Sequence, residues 1–383
     1  MAENIPRARR LDCSALVSFA IVSHGIRRDL HDPLRFFEVL KPIHFFQHAP
    51  YGDMTQGEME GSHHFVNSVD LYRKLQRARP EIVQGGEPFV RRLVPTVWAV
   101  MAYTRFNRRP LVVPSLDNLP IAGKYGTAWA AALRAAVGPY VRSASLAVAA
   151  NKGAEDNLRW AGARPERLTR MMYGTWGVDT TEFSPDGPRA QLPGGSPAKI
   201  VFLGRLERAK GVFDLVAAVP AVLDATDADL VFIGDGPDAQ ALRSAARDAN
   251  ISDHVHLVGA VMNRDVPRYL RAATVLAAPS RTTRKWAEQV GMSAIQAMAC
   301  GVPVVSTASG SIAEFIDDGV AGWLAPEGDP AALAAALSRV LINGELRNQF
   351  GQRARKEALG RFDARTNIRA VERRILEACG IAA

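Results

Sequence analysis

The second half of the chain alternates short, mainly apolar segments with stretches that carry a helical pattern. Each segment has five or six residues, and all but 254–259 lack the polar alternation of a half-buried strand, which is typical of strands covered on both faces. Repeated strand–helix units of this kind predict a parallel sheet with helices on both sides. The segments are 199–204 (KIVFLG), 230–234 (LVFIG), 254–259 (HVHLVG), 274–278 (TVLAA) and 302–306 (VPVVS).

The first half alternates in the same way, with strand candidates at 15–22, 43–47, 81–84, 111–114 and 146–149. Between the halves lies a segment rich in proline and glycine, 184–197, whose composition predicts a linker. We therefore expect an α/β protein with two doubly wound, Rossmann-like domains, at 1–190 and 191–365. A last helix, 366–383, is expected to pack back on the first domain. In such folds ligands bind at the carboxyl ends of the strands, here in a cleft where the two domains face each other.

Composition and charge narrow the functional classes. The three cysteines are far apart in sequence, which argues against a disulfide framework and favours a reducing cytoplasm. No apolar run reaches the roughly 18–20 residues of a spanning helix, and we interpret 15–22 as a buried strand and not as a signal peptide.

Residues 1–190 hold 25 Lys and Arg against 18 Asp and Glu, whereas residues 191–383 hold 22 against 21. This asymmetry indicates an anionic partner for the first half, with chance placement of surface arginines as the alternative.

Two cations follow the first predicted strand of the second domain. Arg205 and Lys210 lie in the loop between the segment KIVFLG and the helical stretch that begins near Gly211. A planar guanidinium, a compact ammonium and the free N–H groups of a helix start together suit a diphosphate. Two solvated surface cations are the alternative at this point.

The stretch 279–305 (PSRTTRKWAEQVGMSAIQAMACGVPVV) is the most specific in the chain. It resembles the nucleotide-sugar loop and helix of glycosyltransferase family 4, the retaining GT-B enzymes, in which a Glu is followed after seven residues by a second Glu. Glu288 matches the first carboxylate, which in the family contacts the donor sugar. The FLGRLERAKG and VFIGDGP segments resemble the diphosphate loop and the next strand of the family. The resemblance covers roughly residues 80–375.

The resemblance implies a metal-independent, retaining glycosyltransferase of the hexosyltransferase type, with a nucleotide-sugar donor expected to be UDP- or GDP-linked and no other cofactor. It implies catalytic roles for Glu288, Arg205 and Lys210. The donor-binding positions that it implies are Gly204, Arg205, Lys210, Gly259, Glu288, Gly291, Met292, Ser293 and Gln296.

Two positions depart from the family pattern. Gln296 stands where the second family Glu binds the ribose hydroxyls, and an amide offers a single acceptor oxygen where a carboxylate offers two. Residues 22–25 (VSHG) replace a Gly-Gly loop after the first strand. These departures motivate an alternative function, a nucleotide-sugar-binding protein of the same fold with weakened catalysis.

The acceptor side rests on fewer residues. Glu87-Pro88 and Asn118-Leu119 match positions of one bacterial and archaeal branch of the family, and His24 lies in the divergent first loop. The resemblance makes Glu87 and Asn118 acceptor-side candidates, and His24 is a third candidate because of its place in the first loop. The acceptor itself is expected to be a glycan, a lipid-linked sugar or a small molecule.

The remaining motifs in the sequence are weaker evidence for a function. The pair Asp227 and Asp229 precedes a strand, at the end away from ligands, so we expect no metal there. His48, His63 and His64 share no metal-ligand spacing with a Cys or carboxylate.

Residues 91–109 mix five arginines with aromatic residues and fit either a helix on a membrane surface or one packed on the sheet. We expect peripheral membrane contact through the basic half, at the inner face of the cell membrane, and no nucleic-acid partner.

Overall fold

The computed structural model describes residues 9–10, 16–48, 54 and 57–382. Contacts divide the chain into two compact units, Met1–Trp176 with Ala364–Ala383, and Gly177–Asp363. No helix within the described ranges combines the length and the apolar composition needed to cross a membrane.

The strands, numbered along the chain, are β1 (Arg9–Arg10), β2 (Val17–Gly25), β3 (Leu40–His48), β4 (His63–His64), β5 (Ile82–Gln84), β6 (Leu111–Ser115), β7 (Leu146–Ala149), β8 (Leu168–Arg170), β9 (Ala198–Leu203), β10 (Ala228–Ile233), β11 (Val255–Gly259), β12 (Val275–Ala278), β13 (Val304–Thr307), β14 (Gly322–Ala325) and β15 (Ile381–Ala382). The helices are α1 (Arg28–His31), α2 (Ser68–Ala78), α3 (Val94–Phe106), α4 (Ile121–Tyr125), α5 (Thr127–Arg142), α6 (Lys152–Ala161), α7 (Val212–Leu223), α8 (Ala239–Asp248), α9 (Val266–Arg271), α10 (Met292–Ala299), α11 (Pro330–Ile342), α12 (Gly344–Arg361) and α13 (Ala364–Ala378).

Each unit is built on one parallel sheet. The first has the strand order β4-β3-β2-β5-β6-β7-β8, and β1 pairs with β15 in a separate ribbon. The second has the order β11-β10-β9-β12-β13-β14. The expectation of parallel sheets in both halves is confirmed, and every sequence-predicted strand overlaps an observed one. The prediction for 15–22 includes Ala15, which lies outside the described residues. The sequence interpretation missed β1, β4, β8, β14 and β15, which have two to four residues each.

Both faces of the first sheet are buried, as the apolar strands predict. Along β2, Ala20 and Val22 face one hydrophobic cluster, whereas Phe19 and Ile21 face another. The second cluster is completed by side chains of α13, including Ile368. The C-terminal helix is therefore a structural part of the first unit.

The buried carboxylate of Glu372 fixes α13 to the start of β3. It accepts hydrogen bonds from the backbone N–H groups of Glu38, Val39 and Leu40, at 3.1, 2.8 and 2.6 Å. Its side chain is largely enclosed, with 5% of the residue exposed. Because three backbone donors depend on one carboxylate, this contact satisfies groups that would otherwise be buried without partners.

The predicted boundary at residue 190 is wrong for this structure, since the units divide between Trp176 and Gly177. The segment 184–197 has the composition of a linker, but the second unit holds its backbone. The Arg271 guanidinium donates to the carbonyls of Ser184 and Pro188, at 2.7 and 3.3 Å. Lys199 donates to the carbonyl of Pro193 at 2.9 Å. The segment 184–197, which we call the strap, therefore belongs to the second unit.

We predict that Glu372→Gln destabilises the first unit by about 2 kcal/mol, because an amide replaces a charged acceptor of three backbone donors. Calorimetry should show the unfolding midpoint of that unit lowered by roughly 4–8 °C. Glu377→Gln is the matched control, since this glutamate is on the same helix and 57% of its side chain is exposed. Equal midpoints for the two variants would contradict the anchoring role of Glu372.

Candidate active site

The carboxyl ends of three neighbouring strands in the second unit are lined by glycine backbone. Gly204 follows β9, Gly234 follows β10, and Gly259 ends β11. The Gly204 N–H donates to the Ile233 carbonyl at 3.0 Å, and the Gly234 N–H donates to the Gly259 carbonyl at 2.8 Å. A Cβ on Gly234 would lie 2.0 Å from the Gly204 carbonyl oxygen, so no larger residue fits there. This edge presents bare backbone, which lets a ligand approach closely.

The loop after β9 is pressed against the loop after β12. Gly211, at the start of α7, has a φ of 70°, and a Cβ there would lie 1.8 Å from the Pro279 carbonyl oxygen. The Arg281 N–H donates to the Ala209 carbonyl at 2.8 Å. These two contacts fix the backbone on both sides of Lys210, so its position is set by the fold.

Lys210 and Glu288, two of the predicted catalytic residues, meet directly. The Lys210 Nζ lies 2.7 Å from Glu288 Oε2, and the Ser280 hydroxyl donates to the same oxygen at 2.8 Å. The exposed fractions of the two charged side chains are 25% and 15%. Partial burial strengthens this ion pair relative to one on the open surface.

Arg205, the third predicted catalytic residue, is more loosely held. Its side chain is 61% exposed and its Nε lies 3.4 Å from a carboxylate oxygen of Glu207. An exposed pair of this kind is weak and easily exchanged. The structure thus places Arg205 in the expected loop and leaves its guanidinium able to take another anionic partner.

Trp286 completes the surroundings of Lys210, and the sequence interpretation missed it. The Lys210 ammonium lies 4.6 Å from the centroid of the Trp286 ring. A short turn holds the tryptophan, because the Thr283 N–H and hydroxyl both donate to the Trp286 carbonyl, at 2.7 and 3.0 Å. The signal available in the sequence was an aromatic residue alone in a polar loop, two positions before Glu288.

Helix α10 begins beside these residues, and it carries the remaining donor-side candidates. Gly291 precedes the helix with a φ of 72°, and a Cβ there would lie 2.4 Å from Ile312 Cδ1. Met292 and Ser293 form the first turn, where backbone N–H groups lack helical acceptors. Gln296 lies one turn further and is 6% exposed. Among the described residues, its side-chain amide has no hydrogen-bond partner, although its environment is nearly closed.

Glu87, an acceptor-side candidate in the first unit, binds the loop that follows β6. Its carboxylate accepts from the Ser115 hydroxyl at 2.9 Å and from the Leu116 N–H at 2.7 Å. Burial, with a smaller contribution from Asp117, raises the pKa of Glu87 to about 7. Glu87 therefore positions the chain around the other candidates, and its burial brings the protonated and charged forms close to balance near neutral pH.

Asn118 lies in this same loop, which the buried Asn151 and Asn157 support. Asn151 donates to the Leu116 carbonyl at 3.0 Å. Asn157 donates to the carbonyls of Asp117 and Leu119, at 2.6 and 2.9 Å. A Cβ on Gly153 would lie 2.3 Å from the Asn118 carbonyl oxygen, so α6 packs closely on the loop. The backbone of Asn118 is thus fixed by its neighbours.

His24, the third acceptor-side candidate, lies near the end of β2 and packs on another histidine. Its ring contacts the His48 ring edge to face, with centroids 4.1 Å apart. Burial lowers the pKa of His24, and Arg92 and His48 lower it further. The ring is therefore favoured in its neutral form, and its buried Nδ1 has no hydrogen-bond partner in the described part of the chain.

The discounted acidic pair lies where the sequence interpretation put it, at the amino end of β10. The buried Asp229 is 2.6 Å from the Lys199 ammonium and accepts from the Ser196 N–H at 2.9 Å. The Ser196 hydroxyl donates to Asp227 at 2.5 Å. Both carboxylates anchor the strap 184–197 to the sheet.

Comparison with known protein families matches a family model to most of the second unit. Residues 187–357 match the model of a family described as glycosyl transferases group 1. A GDP-mannose-dependent alpha-(1-6)-phosphatidylinositol monomannoside mannosyltransferase of Mycobacterium tuberculosis is 33% identical over 188 residues, which are 47% of this chain and 49% of that protein. A 2-deoxystreptamine N-acetyl-D-glucosaminyltransferase of Streptomyces fradiae is 32% identical over 184 residues, 47% and 42% of the two chains. The chain spans about half the length of these curated relatives.

Solved structures match over nearly the whole chain. The Anabaena protein Alr3699/HepE in complex with UDP and glucose has a TM-score of 0.74 at 19% identity, covering 93% of this chain and 98% of that one. Sucrose-phosphate synthase from Thermosynechococcus elongatus has a TM-score of 0.72 at 17% identity, covering 94% and 100%. The expected GT-B fold, with its two parallel-sheet α/β domains, is confirmed by these matches. The match to the glycosyl transferases group 1 family lies within the second unit, at residues 187–357.

Proposed function

We propose that the protein is a retaining, metal-independent glycosyltransferase that moves a sugar from a UDP- or GDP-linked donor to an acceptor. The observation that carries the proposal is the Lys210–Glu288 pair beside the start of α10, at the glycine-lined carboxyl edge of the second sheet. The family match includes all of these residues. The names of one relative and one structural neighbour contain GDP-mannose and UDP, which supports a nucleotide-linked donor.

The proposed chemistry is electrostatic. When the bond between the anomeric carbon and the diphosphate breaks, negative charge grows on the leaving oxygen. Lys210, Arg205 and the N–H groups of Met292 and Ser293 would stabilise that charge from fixed positions. Glu288 would accept hydrogen bonds from the donor sugar, and the acceptor would attack the face from which the nucleotide leaves. In this scheme fixed cations fill the role that a metal ion would have.

We predict that Lys210→Ala lowers turnover by about 10²–10³-fold, because a preorganised charge at the leaving group is lost. The measurement is release of UDP or GDP from a panel of nucleotide sugars, with the anomeric configuration of the product determined by NMR. Lys356→Ala, an exposed lysine on α12, is the control and should match the wild type.

The same assay with EDTA tests metal independence. Turnover should be unchanged, and a loss that Mn²⁺ or Mg²⁺ restores would refute that part of the proposal. Unchanged turnover in both Lys210→Ala and Arg205→Ala at saturating donor would refute the diphosphate assignment.

We predict that Gln296→Glu tightens binding of the nucleoside diphosphate by several-fold. A charged acceptor contributes roughly 1 kcal/mol more than a neutral one to hydrogen bonds from the ribose hydroxyls. The described residues place no hydrogen-bonding carboxylate against the Gln296 amide that a new charge would repel. Calorimetric titration of wild type, Gln296→Glu and Gln296→Ala makes the comparison. Weaker binding by Gln296→Glu, with Gln296→Ala equal to wild type, would show that residue 296 does not touch the ribose.

Slow transfer by an otherwise intact donor site would favour the alternative function, a nucleotide-sugar-binding protein with weakened catalysis. The observation that keeps this candidate is Gln296 at the position of the second family Glu. Donor hydrolysis without acceptor separates the two, since a binding protein would retain the donor intact.

For the acceptor, we propose a lipid-linked sugar or another anionic lipid, reached through peripheral membrane contact of the first unit. The supporting surface is the α3–α5 face, which we define as the exposed residues of these two helices and of the turn 91–93 that precedes α3. Arg91 stacks on the Trp129 ring at 4.0 Å, and Trp98 donates to the Ala136 carbonyl at 2.9 Å. Trp98, Phe106 and Trp129 are exposed by 53%, 77% and 57%.

The charge of this region fits an anionic bilayer. Residues 88–150 contain eight cations and one carboxylate, Asp117, which is buried and paired with Lys124. The cations are Arg91, Arg92, Arg105, Arg108, Arg109, Lys124, Arg134 and Arg142. Exposed tryptophans beside arginines suit the headgroup region, where an apolar ring and a nearby charge are both favoured. The phosphatidylinositol named for one relative is consistent with such an acceptor.

We predict that the protein floats with vesicles containing phosphatidylglycerol and much less with neutral phosphatidylcholine vesicles, at low salt. The double variant Arg91→Glu/Arg105→Glu should weaken binding at least tenfold, since each cation near the surface contributes on the order of 1 kcal/mol. Trp129→Ala should weaken it by several-fold. The control is Arg353→Glu/Lys356→Glu, which reverses two exposed charges on α12. Equal recovery with both vesicle types would count against the proposed surface.

A further inference from the structure

Lys210 has two partners in the described site, and they differ in how they affect an incoming anion. Glu288 lies 2.7 Å away and neutralises the ammonium, whereas the Trp286 ring lies 4.6 Å away and leaves the charge intact. A diphosphate approaching Lys210 would therefore meet a cation that is already paired, next to a carboxylate that repels it. The contact with the ring imposes no such conflict, because the negative face of an indole attracts the ammonium without competing for its hydrogen bonds.

The surrounding contacts make the two partners unequal in mobility. The turn around Thr283 holds the backbone of Trp286. Thr283 donates two hydrogen bonds to the Trp286 carbonyl, and the backbone N–H of Trp286 donates to the Thr283 hydroxyl at 3.0 Å. Glu288 is held to Lys210 and Ser280 by its side-chain oxygen, a contact that a rotation of the carboxylate can exchange. The backbone that carries the ring is thus fixed beside the ammonium, whereas the contact with the carboxylate can exchange.

We propose that Lys210 is handed from Glu288 to the diphosphate of the donor, while Trp286 keeps its ammonium in place during the exchange. This inference rests on the proposed function, and it assigns Trp286 as a positioning residue that acts through Lys210. Donor binding frees Glu288, which then accepts hydrogen bonds from the sugar. Once the sugar has been transferred, Glu288 loses that partner, returns to Lys210 and competes with the nucleoside diphosphate, which speeds product release.

Glu288→Gln should separate these effects, because it removes the competitor and the sugar contact together. We expect its affinity for UDP or GDP, without sugar, to rise by about 5–10-fold, as the charged competitor becomes a neutral amide. Turnover should fall in the same variant, because the sugar is less well oriented. A variant that merely damaged the site would weaken both.

Trp286 is tested by a double-mutant cycle on nucleoside diphosphate affinity, measured by calorimetry. Trp286→Leu should weaken binding by about 3–10-fold, and Trp286→Phe should retain most of it because the aromatic face remains. In a Lys210→Met background, Trp286→Leu should have no further effect. Trp323→Leu is the matched control, since Arg339 lies over the Trp323 ring at the same 4.6 Å in the same unit. Thermal unfolding of each variant separates loss of stability from loss of binding.

The outcomes distinguish the inference from the function on which it rests. Binding of UDP or GDP to the wild type, with no gain in Glu288→Gln, would overturn the handover and leave the glycosyltransferase proposal standing. An effect of Trp286→Leu that persists unchanged in the Lys210→Met background would overturn the positioning role. Failure of both nucleotides to bind wild type and Glu288→Gln would remove the donor site, and with it the inference.

Discussion

The site depends on one steric constraint, the close approach of the Lys210 loop to the carbonyl of Pro279. No side chain fits at position 211, because a Cβ would lie 1.8 Å from that oxygen, and the φ of 70° is one that glycine adopts without strain. This approach brings a cation from the loop after β9 to a carboxylate from the loop after β12. The two loops leave adjacent strands of a parallel sheet, so their carboxyl ends meet at one edge. The contact between Lys210 and Glu288 thus depends on the close packing of the backbone at Gly211 and Pro279.

Much of the fold and part of the site were predictable because they depend on local patterns. Apolar runs without alternation identify strands buried on both faces, and Asp329 before Pro330 marks the start of α11, where the Asp329 side chain accepts from the Ala332 N–H at 2.9 Å. The family resemblance placed Lys210 and Glu288 in one site, and the structure has them in contact. Trp286 escaped because a cation–π contact has no sequence period, and an aromatic residue in a loop is equally consistent with a core position.

The domain boundary was not predictable from composition, for a related reason. Proline and glycine restrict or free the backbone in the same way whether a segment connects two units or is bound along one of them. What distinguishes the strap 184–197 is its hydrogen bonds to the second unit. Arg271 and Lys199 donate to its carbonyls, and its Ser196 N–H donates to Asp229. For the same reason the sequence did not predict that Glu87 and Glu372 would bind backbone N–H groups far along the chain. A buried carboxylate that collects distant donors cannot be recognised until those donors are located.

The chain leaves the first unit after Trp176 and re-enters it at Ala364, and Val178 pairs with Asp363 at the crossing. The second unit is therefore an insertion within the first. During synthesis the ribosome completes all of residues 177–363 before it makes the helix whose Glu372 satisfies the start of β3. The inserted unit can close as soon as its own sequence has emerged, whereas the surrounding unit must wait with one face of its sheet uncovered. The inserted unit can therefore finish folding before the unit whose synthesis began first. Chaperones that bind the nascent chain should concentrate on the apolar face of the first sheet that α13 later covers.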